Sequence, residues 1–296
     1  MSPPDDPRSL YQVRASRPLS DPVLIIVLEG WVDAGFAPSL AMAAMLETAD
    51  PEPVATFDAG RLFDQRARRP VATIVDGVTT DLSWPGIEVR SGRDLDGADV
   101  LFMIGPEPDF GWREFVDAVV GLAGEWGVRT AVSCGAFPAP APHTRPVRLA
   151  ATAPPGSSEL VGRIGAVQGE LQVPAGIQFP LELAFDAAGL TAASLWARVP
   201  HYAAAMAFPA AAASLIEGVT AVTGLRFDPS ALHRAGDEAR HKIDQLIAGN
   251  RDHLAMVAKL EEAIDASEGN PLGVVEMPSG DELAAELEQF LRDEGQ

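Results

Sequence analysis

Val23-Leu24-Ile25-Ile26-Val27-Leu28, followed at once by Glu29-Gly30-Trp31-Val32-Asp33-Ala34-Gly35, decides the fold class of this 296-residue chain. A half-exposed strand would alternate apolar and polar residues, and this run does not. It reads as a strand buried on both faces, as in the parallel centre of an α/β sheet. Glycines 30 and 35 then open a loop, and residues 38–47 read as the helix that carries the chain back. Pro38 suits its first turn, where a missing N–H costs nothing. Leu40, Ala43, Ala44, Met45 and Leu46 are expected on the inner face.

The pattern recurs downstream. Residues 100–104 and 128–133 are further buried strands, each ending in a glycine-containing loop. Between them Trp112, Phe115, Val116, Val119, Ala123 and Trp126 form a helical stripe that stops at Gly127. Residues 54–57, 71–75 and 78–82 have β character, the last two joined by Asp76-Gly77, a hairpin signal. Strands are also expected at 147–152, 171–173 and 192–199, and helices at 180–188 and 204–223. This alternation predicts a largely parallel sheet with helices on both faces.

From Asp228 the apolar residues Leu232, Ala239, Ile243, Leu246, Leu254, Val257, Leu260 and Ile264 recur at helical spacing, with Gly249-Asn250 as a bend or break. Ser279 to Glu282 is a capping-box pattern that starts a last acidic helix. The expected organisation is a flexible leader over 1–21, an α/β core over 22–227, and C-terminal helices over 228–296 that pack on the core or mediate self-association.

Composition narrows the function. Hydrophobic residues make up 47% of the chain, enough for a sizeable core, and the formal net charge is −20. So acidic a surface repels phosphate backbones, which excludes nucleic acid as a partner. The cluster Arg61, Arg66, Arg68 and Arg69 is diluted by Asp58 and Asp64 and reads as one side of a pocket or interface. Cys134 is the single cysteine, so neither an intrachain disulfide nor a cysteine-rich zinc site is expected. The first residues lack the features of a signal peptide. The stretch 202–216 is short of the about 20 apolar residues a membrane span needs and contains Pro209. A cytoplasmic location away from membranes is expected. Lysine occurs only at 242 and 259, leaving none earlier for a phosphate loop or Schiff base.

No phosphate-loop, dinucleotide-loop, nucleophile-elbow or zinc-protease signature is present, and the histidines are scattered. No cofactor and no metal is expected. In open α/β sheets ligands sit beyond the carboxyl ends of the strands. The residues placed there are Glu29, Gly30, Asp33, Gly35, Gly105, Glu107, Arg145 and His201. They offer carboxylates, a guanidinium, an imidazole that titrates near neutrality and exposed backbone donors. Each also has a structural reading: the glycines make turns, Asp33 caps the first helix, Glu29 pairs with an arginine, and His201 packs at a strand terminus. Cys134, at a buried strand end, is expected to behave as a small hydrophobe.

Gly30-Trp31-Val32-Asp33-Ala34-Gly35 is followed in order by Arg68-Arg69-Pro70, Gly105-Pro106-Glu107-Pro108 with Trp112, Thr144-Arg145-Pro146, Pro200-His201-Tyr202 and Pro209-Ala210-Ala211. In these pieces, spread over residues 22–225, the chain resembles the bacterial branch of the proteasome assembly chaperone 2 family. The resemblance implies a three-layer α/β/α core with a mixed central sheet, similar to nucleoside phosphorylases and related hydrolases. It also implies the assembly-type role, without known catalysis, of the eukaryotic and archaeal relatives. Relatives that bind the proteasome commonly end in a hydrophobic-Tyr-any motif. This sequence ends Arg292-Asp293-Glu294-Gly295-Gln296, so proteasome docking is not expected. The leading expectation is a non-catalytic, chaperone-like homo-oligomer acting through protein–protein contacts. The alternative is an enzyme or binding protein for a nucleoside-like or phosphorylated small molecule at the strand ends.

Overall fold

The computed structural model describes residues 6–14, 17–30, 33–166 and 169–268. An eight-stranded sheet runs in the order β1 (Tyr11–Val13), β3 (Glu52–Phe57), β6 (Glu88–Arg93), β7 (Asp99–Pro106), β2 (Val23–Glu29), β8 (Thr130–Ala139), β10 (Thr191–Pro200) and β9 (Leu149–Thr152). The adjacent pairs β7–β2, β2–β8 and β8–β10 are parallel. The flanking pairs are antiparallel. The sheet is therefore mixed, and the expectation of a largely parallel sheet holds only for its centre. The flanking strands are short and partly exposed, so they lack the continuous apolar run that marks β2.

That run is explained by two cores. Leu24 and Ile26 enter one, shared with α3 (Trp112–Glu125) and α5 (Gln178–Ala187). Ile25 and Val27 enter the other, shared with α1 (Ala37–Ala49), α4 (Ser158–Ile164), α6 (Pro209–Thr223), α7 (Ser230–Ile247) and α8 (Arg251–Glu268). The single-turn α2 (Ala59–Leu62) follows β3. α1 buries Ala41, Met42 and Met45 and leaves Ala43 exposed, a rotation from the expected face. The helix is apolar almost all round, so its sequence singles out no side.

Other expectations shift. Leu10 is fully buried and residues 11–13 pair with β3, so the stretch expected as a mobile leader supplies an edge strand. β8 continues to Ala139, paired along its whole length with β10. Residues 171–173 are exposed and form no strand. The helix expected from 204 starts at Pro209, behind a 3-10 turn over His201–Ala203. α7 and α8 divide at Gly249-Asn250, where the Asn250 side chain accepts the N–H groups of Asp252 and His253. α7 buries Leu232, Ile243 and Ile247, while Leu246 is 72% exposed. The acidic helix expected from 279 lies outside the described residues.

β4 (Val71–Val75) and β5 (Val78–Ser83) form a separate antiparallel ribbon. Its turn holds Asp76 and Gly77 at φ of 50° and 81°, as a two-residue hairpin requires. Every residue of both strands is exposed. Among the described residues no helix is long and apolar enough to cross a membrane.

Candidate functional site

The loop after β2 is held from two sides. The Glu107 N–H donates to the Glu29 carbonyl at 2.7 Å. Its carboxylate accepts the Ile177 N–H at 2.6 Å, tying the end of β7 to the start of α5. Gly30 lies beneath it, where a Cβ would stand 2.9 Å from a Glu107 carboxylate oxygen. Gly105, at φ 134°, passes so close to Gly86 and Ile87 that a side chain would strike their backbone. Further along, the Gly35 N–H donates to Ala204 at 2.7 Å and the Gly35 carbonyl accepts from Phe208 at 2.8 Å. Gly35 is left-handed at φ 66°, and a Cβ would stand 2.8 Å from that of Phe208. The segment that follows β10 is thus threaded into the loop that follows β2.

Asp33 makes no side-chain cap on the helix it precedes. One carboxylate oxygen accepts the Ser39 hydroxyl at 2.7 Å, and the other is buried without a hydrogen bond. Burial pushes this carboxyl above its ordinary range, with the Ser39 hydrogen bonds pulling the other way.

Arg145 is committed to α8. Its guanidinium forks onto both oxygens of Asp265 at 2.8 Å and reaches Glu261 at 3.1 Å, both on α8. The Thr144 hydroxyl also donates to Glu261. Hydrogen bonding from Arg145 holds the Asp265 carboxyl below its ordinary value. The guanidinium expected to bind a ligand instead fastens a C-terminal helix. His201 packs edge-on against Tyr202, ring centres 5.2 Å apart.

Close to Arg145, His143 carries a buried polar group that links three segments, and sequence reasoning passed over it. The side chain of His143 is fully buried. Its backbone N–H donates to the Tyr202 hydroxyl at 2.9 Å, and the same hydroxyl is hydrogen-bonded to Nδ1 of His143 at 2.8 Å. On the other side of the ring, Nε2 is hydrogen-bonded to the Asp244 carboxylate of α7 at 3.0 Å. Burial pushes the Tyr202 phenol up to about 12.

A second buried polar chain lies on the opposite side of the sheet. The Trp196 N–H donates to the Thr152 hydroxyl at 3.0 Å, and that hydroxyl donates to Glu182 of α5 at 3.0 Å. Phe179 stacks on Trp196 at 5.6 Å, and Gly135 leaves the room the indole occupies. Burial raises the Glu182 carboxyl, against hydroxyl hydrogen bonds that lower it. Burial likewise pushes the Cys134 thiol up to about 12, the state of an inert core residue.

The candidate residues therefore fall into separate groups. Glu29, Gly30, Gly105 and Glu107 meet at the ends of β2 and β7, Asp33 bridges to Ala136 of β8 and bonds Ser39 of α1, Gly35 sits against the β10–α6 connection, and Arg145 is bonded to α8. Two surface clefts of about 540 and 460 Å³ lie elsewhere, around Tyr11 with Trp84 and around Arg8 with Glu125. Among the described residues no group of three or more His, Cys, Asp or Glu could hold a metal.

The fold has close counterparts. A Corynebacterium glutamicum protein of unknown function superposes with a TM-score of 0.83 at 27% identity, covering 89% of this chain and 99% of its own. A Mycobacterium tuberculosis protein of unknown function gives 0.81 at 33% identity, covering 90% and 94%. A Mycobacterium tuberculosis proteasome-assembly chaperone homologue gives 0.74 at 30% identity, covering 80% and 99%. No curated protein matches significantly. Residues 27–247 match the PAC2 family, and the chain belongs to that family.

Proposed function

We propose that this protein is a chaperone-like assembly factor that acts through protein–protein contacts, and that the β4–β5 hairpin is its contact element. The exposure of that ribbon carries the reading. Val71, Ile74, Val75, Val78 and Leu82 are between 43% and 69% exposed, and Trp84 beyond them is 54% exposed. A two-stranded ribbon is marginal alone in water, and apolar side chains exposed on both of its faces, Val71, Val75 and Val78 on one and Ile74 and Leu82 on the other, mark an interaction surface. Burying these six side chains is worth on the order of 6 kcal/mol per arm before the cost of association.

The occupant we favour is a second copy of this chain. Arg66 and Arg69 stand exposed at the base of the ribbon, where acidic side chains of a facing copy complement them locally, against the mutual repulsion of two chains that each carry −20. The similarity to a proteasome-assembly chaperone homologue supports the assembly role. We further read the two-core arrangement as a three-layer α/β/α domain of phosphorylase type, with a core over 22–227 and C-terminal helices docked on it, in a cytoplasmic protein. The commitment of Arg145 to α8 weighs against the reading in which Glu29, Asp33, Arg145 and His201 form a small-molecule site.

Light scattering with size exclusion tests the proposal. The wild type should run at a multiple of its 31.2 kDa protomer mass at micromolar concentration. An Ile74→Asp, Val78→Asp variant should fall to the protomer mass with an unchanged circular dichroism spectrum. A wild type that runs as a strict monomer, or a variant that keeps the larger mass, refutes it.

A further inference from the structure

The face that β10 turns toward α5 is polar where a core strand should be apolar. Ser194, Trp196 and Arg198 follow at the two-residue repeat that shares one face with buried Ala192. Arg198 is only partly accessible, and its Nε is buried without a hydrogen-bond partner. Its backbone N–H donates to the Arg148 carbonyl at 3.2 Å, so two arginines lie side by side where the β9 edge meets β10. Burial, and then the charge of Arg148, hold the Arg198 guanidinium below its ordinary value. Both effects penalise the charged form.

Elsewhere the fold spends carboxylates freely on arginine. Asp99 serves Arg17, Asp109 serves Arg68, Glu88 serves Arg90, and Asp265 serves Arg145. With 42 acidic residues against 22 basic ones, carboxylates are plentiful. Among the described residues none pairs with Arg198. An unmatched, half-buried guanidinium beside a second one is unfavourable, and a bound anion removes the penalty. The Nε–Nη edge of a guanidinium is the fork that fits two oxygens of a phosphate or carboxylate.

We propose that Arg198, with Arg148 beside it, binds the oxyanion of a small molecule at the carboxyl end of β10. The ring of Trp196, stacked on Phe179, lies two residues away on the same face and shields that side from water. The site lies outside the hairpin, so this inference stands or falls independently of the assembly reading.

Thermal unfolding of the full chain in sodium phosphate, acetate and chloride at matched pH and ionic strength tests it. Phosphate or acetate should raise the midpoint over chloride saturably, by roughly 5 °C at a hundredfold excess over Kd. A response to phosphate alone identifies a phosphate-bearing ligand, and a response to both identifies an oxyanion site that also takes carboxylates. Phosphate also stabilises proteins by surface exclusion, so Arg198→Met is the control and should abolish the difference. Arg198→Lys, which keeps the charge and loses the fork, should weaken binding at least tenfold. Should Arg198→Met fail to fold, the Arg198 Nε–H resonance of the wild type gives the answer, since it must shift saturably with the anion. Equal midpoints in the three salts, an undiminished phosphate shift in Arg198→Met, or an Arg198 resonance that ignores the anion overturns the proposal.

Discussion

Replacing Tyr202 by phenylalanine removes one oxygen and almost no apolar area, so it isolates the hydrogen bonds around His143. That oxygen accepts the His143 backbone N–H at 2.9 Å and is hydrogen-bonded to its Nδ1 at 2.8 Å. His143 is only 4% exposed, so water cannot readily replace the lost partner. One buried donor left unmade costs about 1–3 kcal/mol, and the orphaned ring nitrogen adds to it. Relief from desolvating the phenol takes part of that back. The net expectation is a loss of about 2–3 kcal/mol. With a urea slope of about 3 kcal/mol/M, the midpoint falls by roughly 0.7–1 M without a change in slope. Asp244, at the far end of the same chain, has a side chain 48% exposed, so Asp244→Asn should cost less than about 1 kcal/mol. Equilibrium unfolding in urea, followed by circular dichroism, measures both. A Tyr202→Phe loss under about 0.5 kcal/mol, or an Asp244→Asn loss equal to it, would falsify the view that buried hydrogen bonding at His143 holds this junction.

Two further outcomes can be measured on the same material. The raised carboxyl of Glu182 means that the folded state binds more protons than the unfolded state above the ordinary glutamate value of 4.5, so its contribution to stability falls as pH rises through that window. Glu182→Gln should remove that part of the slope and be at least as stable as wild type at pH 8; a variant that keeps the wild-type slope contradicts the burial argument. The Cys134 thiol, buried and pushed up to about 12, should resist iodoacetamide at pH 8 in the native protein and react fully in urea. Rapid native alkylation would show that the β8 end opens.

The legible features of the fold are those whose cause is local. The six apolar residues of β2 announce burial on both faces, and Asp76-Gly77 announces its hairpin because few other residues tolerate two positive φ angles. The far half of β8 was not legible. Gly135 and Pro138 look like loop residues, yet the strand persists because Gly135 is opened for the Trp196 ring and β10 pairs along its whole length. Arg145 stood out as a special residue, but its role depends on Asp265, 120 positions away. His143, in a run of proline and alanine, gives no local signal, and its partners lie 59 and 101 positions along the chain. Glu182 reads as an ordinary exposed helix residue until the sheet is assembled beneath it.

Several of the segments singled out in the sequence share one physical task with His143. Gly35 receives the backbone of Ala204 and Phe208, Tyr202 holds His143, His143 holds α7, and Thr144 with Arg145 holds α8. These contacts draw together the β2–α1 loop, the β8–β9 connection, the β10–α6 connection and the C-terminal helices. They converge beyond the carboxyl ends of β8 and β10, the place where open α/β sheets ordinarily receive a ligand. On the α6 side of the sheet that place holds the chain's own segment 201–208, fixed by backbone hydrogen bonds that a diffusing substrate would have to break. Of the polar residues that look catalytic in the sequence, Glu107 and Arg145 join the protein to itself. The exposed hairpin, which contributes nothing to either core, is left free to meet another chain.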